Sequence, residues 1–345
     1  METNEARLWR ACDEGDLARV QLLTADPAVD VNFVGFERGD TPLIRACRKG
    51  HTGIVEHLVA HPRVNVELKN AAGGSPFFLA CQENHLDLVR LLGKDPRIDV
   101  NALTHLLVTP FSIACEKGHV EVVTELLADP RIDVVKVDES MQSPFQMACG
   151  WGNSAIVALL LADPRVDVLQ CDHTDFSPFR VACEGNHGDT VSLLLEDDRI
   201  DLKSPILGDY TTLAALVDLD SLSIVQRILA SGRHVETPFM GEGESATKDL
   251  VTNFEDNPDL VRWQLRQLPR FREKYIGQTF ALIVLLCDQF FTLTEAESQA
   301  QRFFAMARLL PMDLQMVLCN RLYSSPRDIV LRKHSEPGFR RHLHM

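Results

Sequence analysis

Apolar residues recur at helical spacing, in short bursts, along the first two-thirds of the chain. Val55, Leu58 and Val59 form one burst. Its columns repeat every 34 residues: Val55, Val89, Val123, Val157, Val191 and Val225, then Leu58, Leu92, Leu126, Leu160, Leu194 and Ile228. Positions i, i+3 and i+4 share one face of an α-helix. The bursts stop at Asp26-Pro27, His61-Pro62, Asp95-Pro96, Asp129-Pro130 and Asp163-Pro164, because proline pushes its predecessor out of the helical region. A Val-Asp-Val or Ile-Asp-Val then predicts a short extended arm. A second, shorter helix is predicted ahead of each burst. Thr41-Pro42, Ser75-Pro76, Thr109-Pro110, Ser143-Pro144 and Ser177-Pro178 also lie 34 residues apart, with Thr211-Thr212 in the next phase. Thr or Ser accepts hydrogen bonds as an N-cap, and Pro suits the first helical position. Ala-Cys follows at a fixed offset (Ala46-Cys47 to Ala182-Cys183), and the small alanine lets two helices approach closely. Gly50-His51, Gly118-His119, Asn84-His85 and Asn186-His187 end this first helix.

Thr-Pro-Leu, Ala-Cys and Gly-His followed by Ile-Val-x-x-Leu, between Thr41 and Val59, resemble the signature of the ankyrin repeat. The resemblance covers about residues 2–237 as seven repeats (2–35, 36–70, 71–104, 105–138, 139–172, 173–206 and 207–237). It implies an all-α solenoid of helix pairs with short finger hairpins, a non-enzymatic protein-binding array without cofactor. Three departures carry expectations. The family's histidine after Thr-Pro-Leu is replaced by Ile44, Phe78, Ser112, Gln146 and Arg180, which weakens a hydrogen bond usual at that turn. Asp-Pro stands where a glycine usually ends the second helix. The finger glycine persists only as Gly39 and Gly73, which predicts irregular fingers further on.

The resemblance implies that, as in an ankyrin stack, the residue before Thr-Pro and the two after Ala-Cys face the concave, partner-binding side. These are Asp40, Arg48 and Lys49 in repeat two, with Arg38 beside them, and Gln82 and Glu83 in repeat three. Leu106, Val108, Glu116 and Lys117 follow in repeat four, Gln142 and Trp151 in repeat five, and Phe176 and Glu184 in repeat six. Leu106, Val108, Trp151 and Phe176 form an apolar strip of the kind that anchors interfaces. Trp151 could equally fold back over the neighbouring helix.

Periodicity changes after Pro238. Residues 238–248 read as a polar linker and 249–345 as an α-helical domain, with one helix opening at Asn257-Pro258 and running to about Leu268. Leu310-Pro311-Met312-Asp313-Leu314, with Leu318, Arg321-Leu322 and Arg327-Asp328-Ile329 behind it, resembles an F-box. Leu314 to Leu343 also resembles a SOCS box. Either resemblance implies a cullin-ligase adaptor hook at Leu310, Pro311 and Leu314, making the protein a substrate receptor. Leu314, Val317, Leu318 and Leu322 fit the core stripe of an ordinary helix equally well.

Charge narrows the partner. Residues 238–345 carry 14 Lys+Arg and 13 Asp+Glu, so 1–237 carry 35 − 14 = 21 and 49 − 13 = 36, a net −15. Such an array repels a phosphate backbone and suits a neutral or basic protein surface. Nucleic acid and membrane are excluded as partners, since the charge-free apolar run Tyr275–Cys287 falls short of the roughly 20 residues a span needs. The nine cysteines, with no export signal at the N-terminus, point to an intracellular protein of the cytoplasm or nucleus; a monomer is expected. The phased cysteines cannot share a metal: repeats stack roughly 8–10 Å apart, whereas zinc–sulfur bonds are about 2.3 Å. No nucleotide-binding, metalloprotease or hydrolase motif is present.

Overall fold

Thr41, Ser75, Thr109, Ser143 and Ser177 each turn a side-chain oxygen onto the backbone N–H three residues on, at 3.0–3.3 Å. Each thereby satisfies one of the orphan donors of a helix start. Thr3 does the same for Ala6, so the first repeat is capped without a Thr-Pro pair. A computed structural model describes residues 3–35, 38–200, 213, 216, 221–231, 246–266 and 268. Every regular element among them is helical. The chain divides into two compact units, Met1–Arg227 with His234–Glu242, and Ile228–Arg233 with Gly243–Met345.

Among the described residues of the first unit six helix pairs follow one another. The inner members are α1 (Asn4–Glu14), α3 (Pro42–Lys49), α5 (Pro76–Gln82), α7 (Pro110–Lys117), α9 (Pro144–Gly150) and α11 (Pro178–Glu184). The outer members are α2 (Leu17–Thr24), α4 (Thr52–Ala60), α6 (Leu86–Gly93), α8 (Val120–Leu127), α10 (Ser154–Ala162) and α12 (Gly188–Leu194). Each inner helix packs on the next inner helix, and each outer helix on the next outer one. The core is a set of columns: Leu43, Phe77, Phe111, Phe145 and Phe179 in one, the Ala-Cys pairs in another, all buried. Burial pushes the Cys12 thiol up to about 12, and the thiols of Cys47, Cys81, Cys115, Cys149 and Cys183 move in the same direction for the same reason.

Two ladders tie each repeat to the one before. His51, His85, His119 and His187 each place Nε2 at 2.8–3.2 Å from a carbonyl at the end of the preceding inner helix, those of Asp13, Arg48, Gln82 and Gly150. Asn153 takes this place in repeat five by donating to Cys115 and Glu116. These carbonyls have no partner within their own helix.

The second ladder starts at the Asp-Pro stops. Arg97, Arg131, Arg165 and Arg199 each clasp the aspartate two residues back (Asp95, Asp129, Asp163, Asp197) and donate Nη2 to the carbonyl of Val59, Gly93, Leu127 or Leu161, at 2.6–2.9 Å. Arg63 reaches the carbonyls of Thr24, Asp26, Pro27 and Val29. The Arg131 guanidinium, foremost, holds the Asp129 carboxyl below its ordinary range, and Arg97 and Arg165 do the same to Asp95 and Asp163.

A group with a depressed folded pKa contributes stability above its unfolded pKa and loses it as pH falls through the folded value. Replacing Arg97, Arg131 and Arg165 together by alanine is therefore expected to lower the melting temperature at pH 7, by about 1 kcal/mol of stability per site. The gap from the parent should narrow as pH drops below the ordinary carboxylate range near 4, leaving the share owed to the carbonyl bonds. Melts at pH 7 and pH 3 check this, and a gap of equal size at both refutes the ion-paired clamp.

Beyond the sixth pair, α13 (Leu222–Ser231) buries Ile224, Val225, Ile228 and Leu229. In the second unit α14 (Ala246–Asp256) and α15 (Pro258–Arg266) pack together through Val251, Phe254, Val261 and Leu265. The helix expected from Asn257-Pro258 is α15. The one before it begins inside the stretch read as linker, with Val251 and Phe254 three apart on its buried side. Leu310, Pro311 and Leu314 lie outside the described residues.

Candidate protein-binding surface

The loops between pairs fold into fingers of one design. In each, the first residue accepts at its carbonyl from the fourth and donates its N–H to the carbonyl of the fifth: Asn70–Gly74, Thr104–Val108, Asp138–Gln142 and Asp172–Phe176. The fourth residue takes a left-handed backbone: Gly73 (φ 81°), Leu107 (60°), Met141 (59°) and Asp175 (59°). Fingers without glycine are thus regular, contrary to the sequence expectation. The reason lies at the base of each loop. Asn70, Asp138 and Asp172 each accept from the N–H groups two and four residues on, and Thr104 from Val108. These brace the turn from its side chain, offsetting the roughly 1–2 kcal/mol that a leucine or methionine incurs in that region.

Neighbouring fingers join edge to edge through single backbone bonds, Ala71 N–H to Arg38, His105 to Ala72, Glu139 to Leu106 and His173 to Ser140, at 3.0–3.3 Å. This fixes the tips in one row.

The expected partner-facing residues fall into three groups. In repeats two and three, Asp40 is fully buried, which corrects its placement at the surface. Arg48 clasps both its oxygens at 2.9 and 3.1 Å, Asn70 donates to it at 2.9 Å, and its carbonyl accepts from the Trp9 indole. A carboxylate so buried needs that pairing, so Asp40 and Arg48 hold the finger to α3. Lys49 pairs with Asp13 at 3.3 Å and Arg48 reaches Glu83 at 3.6 Å. Gln82 bonds to Glu83. A groove of about 350 Å³ runs between this finger and α5, with exposed Arg38 and half-buried Gln82 among its lining and Ala71, Ala72 and Phe78 as apolar wall.

In repeats four and five, Trp151 stands 63% exposed just past α9, so it does not fold back. The Lys117 ammonium, paired with Glu116 at 2.9 Å, lies 5.7 Å from the centre of its ring. Leu106 is equally exposed, while Val108 and Gln142 are half-buried. In repeat six the Arg180 guanidinium sits over the Phe176 ring at 3.3 Å and pairs with Glu184 at 2.8 Å.

Gln146 restores the bond expected to weaken where the histidine is missing, donating to Asp172 and to the Phe176 carbonyl. Ser112 instead bonds back to Thr109. The sequence reading missed exposed Leu107 and Met141, whose signal was their 34-residue phase with Gly39 and Gly73.

Residues 8–104 match the family model described as ankyrin repeats (3 copies). No curated protein sequence matches the chain. Ankyrin repeats indicate a protein–protein interaction module, and the family is typically non-enzymatic. The Thr/Ser caps, fingers and both ladders recur beyond the matched stretch to residue 200, with Asn153 in place of a histidine in repeat five. No helix among the described residues is long and apolar enough to cross a membrane. Among the same residues no three His, Cys, Asp or Glu side chains converge as a metal site. His57 Nε2 lies 2.9 Å from the Thr24 hydroxyl.

Proposed function

We propose that the array is a non-enzymatic adaptor surface that binds a protein partner along the fingers and inner helices of repeats two to six. The observation that carries this reading is the row of exposed or half-exposed apolar side chains there, Leu106, Val108, Trp151 and Phe176. A soluble protein rarely leaves such groups uncovered in one row, and an exposed tryptophan beside a cation is an apt anchor. Binding is by rigid display: the two ladders fix the spacing of the repeats, and the finger and inner-helix residues select the partner. The acid excess of residues 1–237 favours a neutral or basic partner surface.

Cross-linking and affinity capture on the intact chain test this. Trp151→Ala is expected to weaken capture of the partner by at least tenfold. Arg90→Glu, on outer helix α6 where Arg90 is half-exposed and pairs with Glu125, should leave it unchanged. Loss with the outer variant and not with Trp151→Ala would place the interface elsewhere.

A further inference from the structure

Two finger tips carry a local backbone cost that a glycine would not incur. Leu107 and Met141 occupy the left-handed position that Gly73 fills in the third repeat, a conformation bulky side chains avoid. Packing does not recover the cost, since Leu107 is 43% exposed, Met141 50%, and the adjoining Leu106 63%. Strain held at an exposed apolar position marks a surface kept for contact. The surroundings are acidic. Fingers 138–142 and 172–176 hold Asp138, Glu139, Asp172 and Asp175 and no lysine or arginine. Glu139 and Asp175 are exposed, and neither is ion-paired among the described residues. Asp175, Asp172 and Asp167 add to burial in raising the Cys171 thiol, a sign of the negative field there.

We infer that the tips of these three fingers form a docking row for an extended, basic segment of a partner protein, with two apolar side chains seated on Leu106/Leu107 and on Met141 and a lysine or arginine reaching Glu139 and Asp175. Tips in adjacent repeats stand roughly 10 Å apart, and a segment extended as a polyproline II helix rises about 3.1 Å per residue with three residues per turn, which puts i, i+3 and i+6 on one face. Apolar side chains at i and i+3 therefore meet neighbouring tips, and a basic one at i+6 meets the acidic finger beyond. This rests on reading the array as protein-binding and adds the chemistry of what it binds.

The test is a random-peptide display library selected on the intact chain, with winning peptides synthesised and titrated against three forms: parent, Leu107→Gly/Met141→Gly, and Glu139→Lys/Asp175→Lys. Glycine relieves the strain, so the first variant is expected to melt at or above the parent temperature while losing at least tenfold in affinity. Winners should pair apolar residues three apart with Lys or Arg, and should lose affinity on the charge-reversed form. If the winners are acidic, or bind the glycine variant as tightly as the parent, the docking row is wrong while the array remains a binding surface. If no peptide is enriched, the docking row falls. Loss of partner capture through Trp151 then decides the broader reading separately.

Discussion

Replacing Phe111 by alanine is expected to cost about 3–5 kcal/mol, the range for emptying a fully buried aromatic site. Phe111 has no exposed surface and stands in the middle of the Leu43–Phe179 column, on α7 between α5 and α9. The space cannot close easily. The flanking inner helices are held at their distance by the His and Arg ladders, so relaxation into the void would strain bonds in two other repeats. A solenoid couples only nearest neighbours, so a central loss should do more than lower the midpoint. It should divide one unfolding transition into two, with repeats one to three and the remainder melting apart. Urea titration followed by circular dichroism reads both effects. A loss below 1 kcal/mol with one unchanged transition would show that the column does not couple the repeats.

Gly50→Ala is expected to cost about 2–3 kcal/mol. Gly50 ends α3 at φ 75°, where an alanine incurs roughly 1–2 kcal/mol. Its new methyl would also stand 2.6 Å from Cε1 of His85. That ring must shift, and its bond to the Arg48 carbonyl, worth about 1 kcal/mol, goes with it. Gly53→Ala is the matched control. Gly53 lies in α4 with its nearest neighbour, a Leu17 methyl, at 3.6 Å, so alanine there should stabilise by a few tenths to about 1 kcal/mol. Thermal melts of the two variants should move in opposite directions. Equal shifts would mean that the histidine ladder carries no weight.

The 34-residue phase of Thr/Ser-Pro, Ala-Cys and Gly/Asn-His was enough to place the helix pairs, because each motif acts through local backbone chemistry. What escaped acts between repeats. The Asp-Pro pairs read as helix stops, but the arginine two residues after each aspartate, also 34 residues apart, carries no local signal of its partner. Only the fold shows that it reaches a carbonyl 38 positions earlier in sequence. The fingers were expected to lose shape with their glycines, yet Asn70, Asp138 and Asp172 brace them from the first loop position. Asp40 was placed at the surface because its register is partner-facing. Its burial comes from Arg48 and Asn70 closing over it, a convergence of three separate segments that no local pattern encodes. The exposure of Leu106 and Trp151 is where the sequence was most informative, since the repeat phase puts them on the finger and at the inner-helix end.

The cysteine column has a use of its own. Each of the six described pairs holds one thiol at the same depth, at Cys12, Cys47, Cys81, Cys115, Cys149 and Cys183. Alkylating reagents attack the thiolate, and these sulfurs are both shielded and kept neutral. A thiol becomes reactive only when its own repeat opens, so the chain carries a chemical clock at every step of the stack. Labelling rates resolved by peptide would report local opening repeat by repeat, with no probe added.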